Sequence, residues 1–425
     1  MPTTTRSDVR RRLSPVVSEA LAAFRVVVVT GARQAGKTTL VRQVLEGRGT
    51  FVRLDDEATL QAAMTDPVSM ARAGSLPRAF DEIQRAGDPL VRAIKAVVDD
   101  DPAPGQFVLN GSADFLTVPT ISESLAGRAA FFELWPFSQG EIEGSSDGFV
   151  DAAFDDPESL RSGPSSRLGP VEYLQRVVTG GYPEVVSMAE SARRMWFTNY
   201  LRTVTHRDIT ELTGARRADQ LPKLLRLLAA RTANELVVTE VHRDAGFGSR
   251  DTTDDYIGFL GMTYLIRLLP AWSRSLTTKV KRHPKVHVCD TGLAAHLLGK
   301  RAEALARPTD PARGPLLETF AVNEIQRQLG WSAVDARPHH FRDRAGAEVD
   351  LVLEASDGRV LAVEVKASAT VKQADFRWLE FLRSRVGDDF LHGFVLYCGE
   401  RPLAFGDRLS ALPLAYLWQA PGFSR

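Results

Sequence analysis

The chain has only two cysteines, Cys289 and Cys398, set far apart. So few, and so separated, they exclude a disulfide framework and suit a reducing compartment. The sequence also lacks any uninterrupted apolar run long enough to cross a bilayer. Residues 1–14 are Arg-rich and polar, without the apolar core of a secretory signal. No membrane partner is therefore expected, and the expected location is the cytoplasm. Neither sign of charge is in excess: 53 Lys and Arg balance 53 Asp and Glu, for a formal net charge of +0. No global field draws the protein to nucleic acid, so any such contact has to come from a local patch. The remainder is ordinary for a globular protein, 44% hydrophobic and 25% charged, and 425 residues suffice for two or three domains with substantial cores.

One segment departs from this plainness. An apolar run at 26–29 leads into Gly31-Ala32-Arg33-Gln34-Ala35-Gly36-Lys37-Thr38-Thr39, and a helical pattern follows at 40–45. The spacing G-x-x-x-x-G-K-[ST] between strand and helix is that of a phosphate-binding loop. Gly31 and Gly36 let the backbone turn its N–H groups toward phosphate oxygens, and the following helix adds the positive end of its dipole. Lys37 is expected to neutralise charge on the β- and γ-phosphates, and the Thr38 hydroxyl to ligate Mg²⁺. ATP and Mg²⁺ are accordingly the expected cofactors, with residues 31–39 lining the nucleotide.

Downstream, Arg78-Ala79-Phe80 reads as a short strand ending in Asp81-Glu82. In nucleotide hydrolases the first such acid holds the Mg²⁺ shell and the next polarises the attacking water, the roles expected of Asp81 and Glu82. Residues 106–112 form another apolar run ending in polar groups, where Asn110 or Ser112 is a candidate to sense the γ-phosphate or orient the water. Strands expected at 25–29, 51–54, 78–80, 107–109 and 131–134 alternate with helical patterns. That alternation predicts an α/β fold, a mainly parallel sheet with helices on both faces and the phosphate loop at the C-terminal end of the first strand. Asp55 and Asp56 end the second strand, either beside the same ligand crevice or, the favoured expectation, as acids opening a helix.

The segments GARQAGKTTL, FDEIQ, VLNGSADF and SLAGRAAFFELWPFS resemble the ATPase module of a prokaryotic family. That family couples an AAA-type ATPase to a C-terminal domain of unknown function numbered 4143, and the likeness extends over residues 200–290 and 318–366. The resemblance implies a P-loop ATPase. It also makes Arg128, in Ala126-Gly127-Arg128, a candidate contact to nucleotide phosphate.

Composition changes near Glu141. From there to Pro170, runs rich in Gly and Ser with few apolar residues read as a flexible linker or insertion. The expected division is an ATPase domain at 1–140, the linker at 141–170, a helical middle domain at 171–300 and a C-terminal domain at 301–425. In the middle domain Leu221, Leu224, Leu225 and Leu228 share one helix face, and residues 237–241 and 251–260 read as two more helices before a strand at 263–268. This order is a winged helix-turn-helix pattern. Residues 256–289 contain no Asp or Glu but hold Arg267, Arg274, Lys279, Lys281, Arg282 and Lys285, a basic stretch expected to contact DNA phosphates. DNA and a further copy of the chain thus join ATP as expected partners.

Near the C-terminus, a strand at 345–353 carries Asp350, a turn follows at Asp357-Gly358, and a strand at 360–366 carries Glu364 and Lys366. Glu364 and Lys366 are two apart and face the same side, with Asp350 expected beside them and Glu318 approaching from a helix at 316–329. The set resembles the restriction-endonuclease-like signature, an acid followed by E-x-K, in which the acids bind Mg²⁺ and the lysine activates water or steadies charge at phosphorus. It implies a second metal site of Glu318, Asp350 and Glu364 with Lys366. His339-His340, with no further ligand at metal spacing, is expected to be a solvated pair. Two functions fit: a DNA-associated ATPase with nuclease capacity, or an ATP-dependent switch whose C-terminal domain binds without cleaving.

Overall fold

The computed structural model describes residues 9–111, 125–205, 220–274 and 282–420. Ser112, Lys279 and Lys281 lie outside these residues.

The first sheet holds β1 (Val26–Gly31), β2 (Thr50–Arg53), β3 (Arg78–Asp81), β4 (Phe107–Asn110) and β5 (Ala129–Leu134), in the spatial order β2-β3-β4-β1-β5. Every pairing in it is parallel. Side chains alternate across the sheet, so Val26 and Val28 join Phe80, Leu109 and Ile94 in one core layer. Val27 and Val29 join Val17, Leu40 and Val41 in the other. Helix Gly87–Asp100 covers the first face, and helices Ser14–Ala23 and Lys37–Leu45 cover the second. Asp56 caps the helix Glu57–Thr65 by accepting the Thr59 N–H at 2.9 Å, so it belongs to the helix start and not to the ligand crevice.

The stretch 141–170 corrects the expectation of a flexible linker. Ser138 opens the helix Gln139–Glu143 with a capping box, and the helix Phe149–Asp155 buries Phe149, Val150, Ala153 and Phe154. Phe149 packs edge-on against Phe394, with centroids 5.5 Å apart. Phe149, Val150, Ala152, Ala153, Phe154 and Leu160 land inward, Ile142 stays exposed, and several small polar residues serve as caps and turns. Gly144, for example, ends its helix at φ 71°.

In the middle of the chain, helices Leu221–Ala230, Val238–Ala245 and Arg250–Met262 pack beside β6 (Asn234–Glu235), β7 (Ile266–Leu269) and β8 (Lys285–Val288). These strands form an antiparallel sheet in the order β6-β8-β7. Leu221, Leu224, Leu225 and Leu228 are all buried, as their spacing predicts. The last sheet holds β9 (Ala336–Arg342), β10 (Glu348–Ala355), β11 (Val360–Lys366), β12 (Phe390–Tyr397), β13 (Leu403–Ala404) and β14 (Leu409–Pro413), in the order β13-β14-β12-β11-β10-β9. A single hydrophobic cluster runs from Phe149 through Leu224, Val286 and Phe320 to Trp418, so packing does not break near residue 300. No helix among the described residues is long and apolar enough to cross a membrane.

Candidate active site

The parallel register brings the site together. Val29 pairs with Asn110, Gly31 pairs with Leu134, and Arg53 pairs with Asp81. The loop after β1, Asp81 and Asn110 therefore share the C-terminal edge of the sheet. Gly31 has φ 144°, and a Cβ there would meet the Leu134 carbonyl oxygen at 2.1 Å, so only glycine fits. Gly36, at φ 95°, opens the helix Lys37–Leu45. That helix start has no side-chain cap and no acid in its first turn. Its N–H groups and dipole are thus left for an anion.

Lys37 is buried, and its ammonium donates to the carbonyls of Gly31 and Ala32, both at 3.0 Å. The Thr38 hydroxyl donates to both carboxylate oxygens of Asp81, at 3.1 and 3.0 Å. Burial pushes the Asp81 carboxyl above its usual range, against the polar contacts of Thr38 and Asn110. Glu82 sits in the left-handed region at φ 57°, held there by its own N–H donating to Asn110 Oδ1 at 3.1 Å. Gln84 donates to the Glu82 carboxylate at 2.5 Å. Asn110 thus positions the backbone of Glu82. Ala32 and Ala35 are buried, and Gln34 and Thr39 face solvent. The residues of this loop are compatible with nucleotide phosphate and a hard cation: an uncapped helix start, an ammonium on neutral carbonyls, and a hydroxyl paired with a carboxylate.

Arg128 is a correction. It precedes β5, where Ala129 pairs with Val26 at the opposite end of the sheet from the loop. Its guanidinium binds Asp99 at 2.5 Å. It cannot reach the phosphate of its own chain. An arginine that sequence reasoning missed lies at the loop instead. Arg11 is buried and donates to the carbonyls of Ala35 and Trp135, both at 2.7 Å, while pairing with Glu141 at 2.9 Å. The loop is also tied to the middle of the chain. The Tyr264 hydroxyl donates to Thr30 Oγ1 at 3.0 Å, and the Tyr200 hydroxyl donates to the Arg33 carbonyl at 3.4 Å.

Glu318, Asp350, Glu364 and Lys366 lie near one another. Asp350 directly precedes Leu351 and Glu364 directly follows Val363, the residue Leu351 pairs with, so the antiparallel register sets the two acids opposite one another. Lys366 donates to Glu364 at 2.7 Å, and Asp350 accepts the Val365 N–H at 2.8 Å. Burial, then the Asp350 charge, pushes the Glu364 carboxyl up to about 8. Burial and Asp350 likewise push Glu318 well above its usual range. The cation among these acids is Lys285, whose ammonium lies 2.7 Å from Glu318, 2.8 Å from Glu348 and 3.4 Å from Asp350. The residues present do not fit the metal that the signature implies. Among the described residues no group of three or more His, Cys, Asp or Glu is arranged to hold a metal ion.

The same finding corrects the basic stretch. Lys285 is fully buried among carboxylates, and Arg267 stacks over the Trp135 ring at 5.2 Å. Arg274 binds the Val386 carbonyl and Asp389, and Arg282 binds the Arg342 carbonyl. The absence of acids between 256 and 289 misled because the counter-charges come from distant segments. His339 and His340 are also not solvated: both are buried, and burial pushes His340 down to about 4. A lysine inside the apolar strand Lys285-Val286-His287-Val288 was the available signal for the buried cation.

Comparison with known proteins gives three matching families. A family described as an AAA domain matches residues 23–143, a domain of unknown function, DUF8612, matches 171–304, and another, DUF4143, matches 313–417. Uncharacterized protein Mb2031c of Mycobacterium bovis and uncharacterized protein Rv2008c of Mycobacterium tuberculosis are each 27% identical over 407 residues, 95% of this chain and 83% of theirs. Among solved structures, the Walker-type ATPase PABY2304 of Pyrococcus abyssi is 19% identical with a TM-score of 0.41, covering 70% of this chain and 98% of its own. The Orc1 protein of Aeropyrum pernix in complex with DNA is 13% identical with a TM-score of 0.27, covering 68% and 91%. Neither structural likeness is close enough to carry an argument; the family matches and the loop geometry do. The chain thus carries an AAA domain at 23–143 and a C-terminal DUF4143 domain at 313–417.

Proposed function

We propose that the protein is a Mg²⁺-dependent ATP-driven switch in which nucleotide at the loop sets the posture of the middle unit. Lys37 and the backbone of residues 31–39 would hold the phosphates, and Thr38 with Asp81 would hold Mg²⁺. The bound cation would supply charge stabilisation at the transferring phosphoryl group. Glu82, fixed by Asn110 and Gln84, is the group aimed at the attacking water. The observation that carries the switch is the Tyr264–Thr30 hydrogen bond of 3.0 Å, one residue before Gly31. Tyr264 closes the helix Arg250–Met262 at φ 58°, and its ring meets Trp135 edge-on at 5.1 Å. Trp135 in turn gives its carbonyl to Arg11, which also holds the Ala35 carbonyl. A loop that moves on binding phosphate pulls on both links.

The test is hydrogen exchange with and without a non-hydrolysable ATP analogue. Protection of residues 250–262 should change on binding, and the change should shrink in Tyr264→Phe, which keeps the ring and loses the hydroxyl. Equal protection in both states would end the switch reading.

Association with DNA is the second reading. The order of helices and strands between 221 and 288 supports a winged-helix unit. The exposed face of its third helix carries Asp251, Asp254 and Asp255, which would repel phosphate. The reading therefore rests on Lys279 and Lys281. ATP turnover stimulated by duplex DNA, falling with salt and lost in the Lys279→Glu/Lys281→Glu variant, would support it. Unchanged turnover would count against it.

A further inference from the structure

The C-terminal acids raise a question that the ATPase does not answer: what balances four buried or half-buried carboxylates? Glu318 comes from the helix Arg313–Leu329, Glu348 and Asp350 from β10, and Glu364 from β11. We propose that Lys285 is the resident cation of this cluster, taking the place of a divalent metal and joining the middle unit to the C-terminal sheet.

The geometry is that of a filled site. An ammonium has three donors, and Lys285 has three carboxylate partners, at 2.7, 2.8 and 3.4 Å. Its side chain is wholly buried, at 0% exposure, so its charge is carried by those partners and not by water. The remaining acceptors are largely used. Asp350 accepts the Val365 N–H, Glu348 also pairs with Arg342 at 3.7 Å, and Glu364 pairs with Lys366 at 2.7 Å. Of the oxygens of these four acids, only Glu364 Oε2 is a buried atom without a hydrogen-bond partner among the described residues. A hard cation requires oxygen ligands at roughly 2.0–2.6 Å on several sides. Here the point on which Glu318 and Asp350 converge is held by a covalently tethered charge, and a second cation beside it would be repelled at low dielectric.

The tether also has a direction. Lys285 lies on β8, within the segment matched at 171–304, and its three acids lie within that matched at 313–417. Polar contacts continue along the same seam. His287 Nδ1 lies 3.1 Å from Thr319 Oγ1, Thr232 and Thr319 hydroxyls are 2.8 Å apart, and Asn323 donates to the Val288 carbonyl at 2.9 Å. An ion pair buried in such a seam specifies one docking of the two units. The set is then a joint, with the nuclease arrangement kept and its metal position closed.

The test is Mn²⁺ binding to the full chain without nucleotide, read by electron paramagnetic resonance, with Asp81→Asn present throughout to remove the loop's carboxylate ligand. The Asp81→Asn protein should show no saturable Mn²⁺ site. Adding Lys285→Met, which keeps the stem and removes the charge, should bring a site at least about tenfold tighter than any residual binding, because three carboxylates are then free for a hard cation. Adding Asp350→Asn should abolish that site. If the Lys285→Met chain folds only with Mn²⁺, that rescue is the same positive result. Saturable Mn²⁺ binding by the Asp81→Asn protein that disappears with Asp350→Asn would overturn the proposal. So would a folded Lys285→Met protein that binds no Mn²⁺.

Discussion

Two buried lysines divide this molecule. Lys37 gives its ammonium to two neutral carbonyls, Gly31 and Ala32. Lys285 gives its ammonium to carboxylates. The first sits on the carbonyls of the loop whose spacing marks it for phosphate, where an anion with several oxygens would add charged contacts. The second is already neutralised, and nothing that arrives can better three carboxylates. Both sequence contexts announce phosphate chemistry. Only the partners tell a binding lysine from a structural one.

Several substitutions break or sharpen this contrast. The largest effect is expected for Lys285→Met, which leaves buried carboxylates uncompensated and should cost about 3–5 kcal/mol of stability in denaturant unfolding. Lys37→Met, measured in the same way without nucleotide, should cost far less. ATP affinity should invert the order. Losing the Lys37 ammonium removes charged hydrogen bonds worth about 3 kcal/mol in all, a loss of roughly a hundredfold in Kd by titration calorimetry. A folded Lys285→Met protein should bind ATP as the wild type does.

Glu82→Gln keeps the hydrogen bond from the Glu82 N–H to Asn110 and removes the acid. It should leave ATP affinity unchanged and slow turnover by about a hundredfold, the lower range for losing a general base. Wild-type turnover in that variant would remove Glu82 from the mechanism.

A smaller effect comes from a group outside both sites. Burial, then the Glu324 charge, raises Asp147 to about 8. A carboxyl raised on folding contributes stability that is present below its unfolded value near 4 and is lost as pH rises through about 8. Between pH 5 and pH 7 the wild type should therefore lose up to about 1.4 kcal/mol per pH unit from this group, and Asp147→Asn should flatten that slope. Parallel slopes for the two proteins would show that Asp147 is not the group responsible.

Much of the nucleotide site was legible because it is local. A strand, nine consecutive residues and a helix specify the loop, and the acid pair at Asp81-Glu82 follows a strand that the alternation already marks. Asn110 was legible as a polar strand end, although its visible role is to hold the Glu82 backbone. The C-terminal set was legible in its acids, since the hairpin fixes Asp350 against Glu364. Its cation was not, because Lys285 arrives from another sheet and pairs with Glu318, 33 positions away, and Asp350, 65 positions away. Arg11 was hidden for the same reason: it joins Ala35, Trp135 and Glu141 across as many as 130 positions. The stretch 141–170 looked like a linker because a buried segment needs only a few well-placed apolar residues, here Phe149, Phe154 and Leu160, when its polar ones cap helices.

Lys37 holds carbonyls of the phosphate loop, and Lys285 holds three carboxylates. Counting Mn²⁺ bound to the wild-type chain, with and without a non-hydrolysable ATP analogue, tests both at once. The account predicts about one ion per chain with the analogue, at Thr38 and Asp81, and none without it. A nucleotide-independent ion that survives Asp81→Asn and vanishes in Asp350→Asn would contradict it.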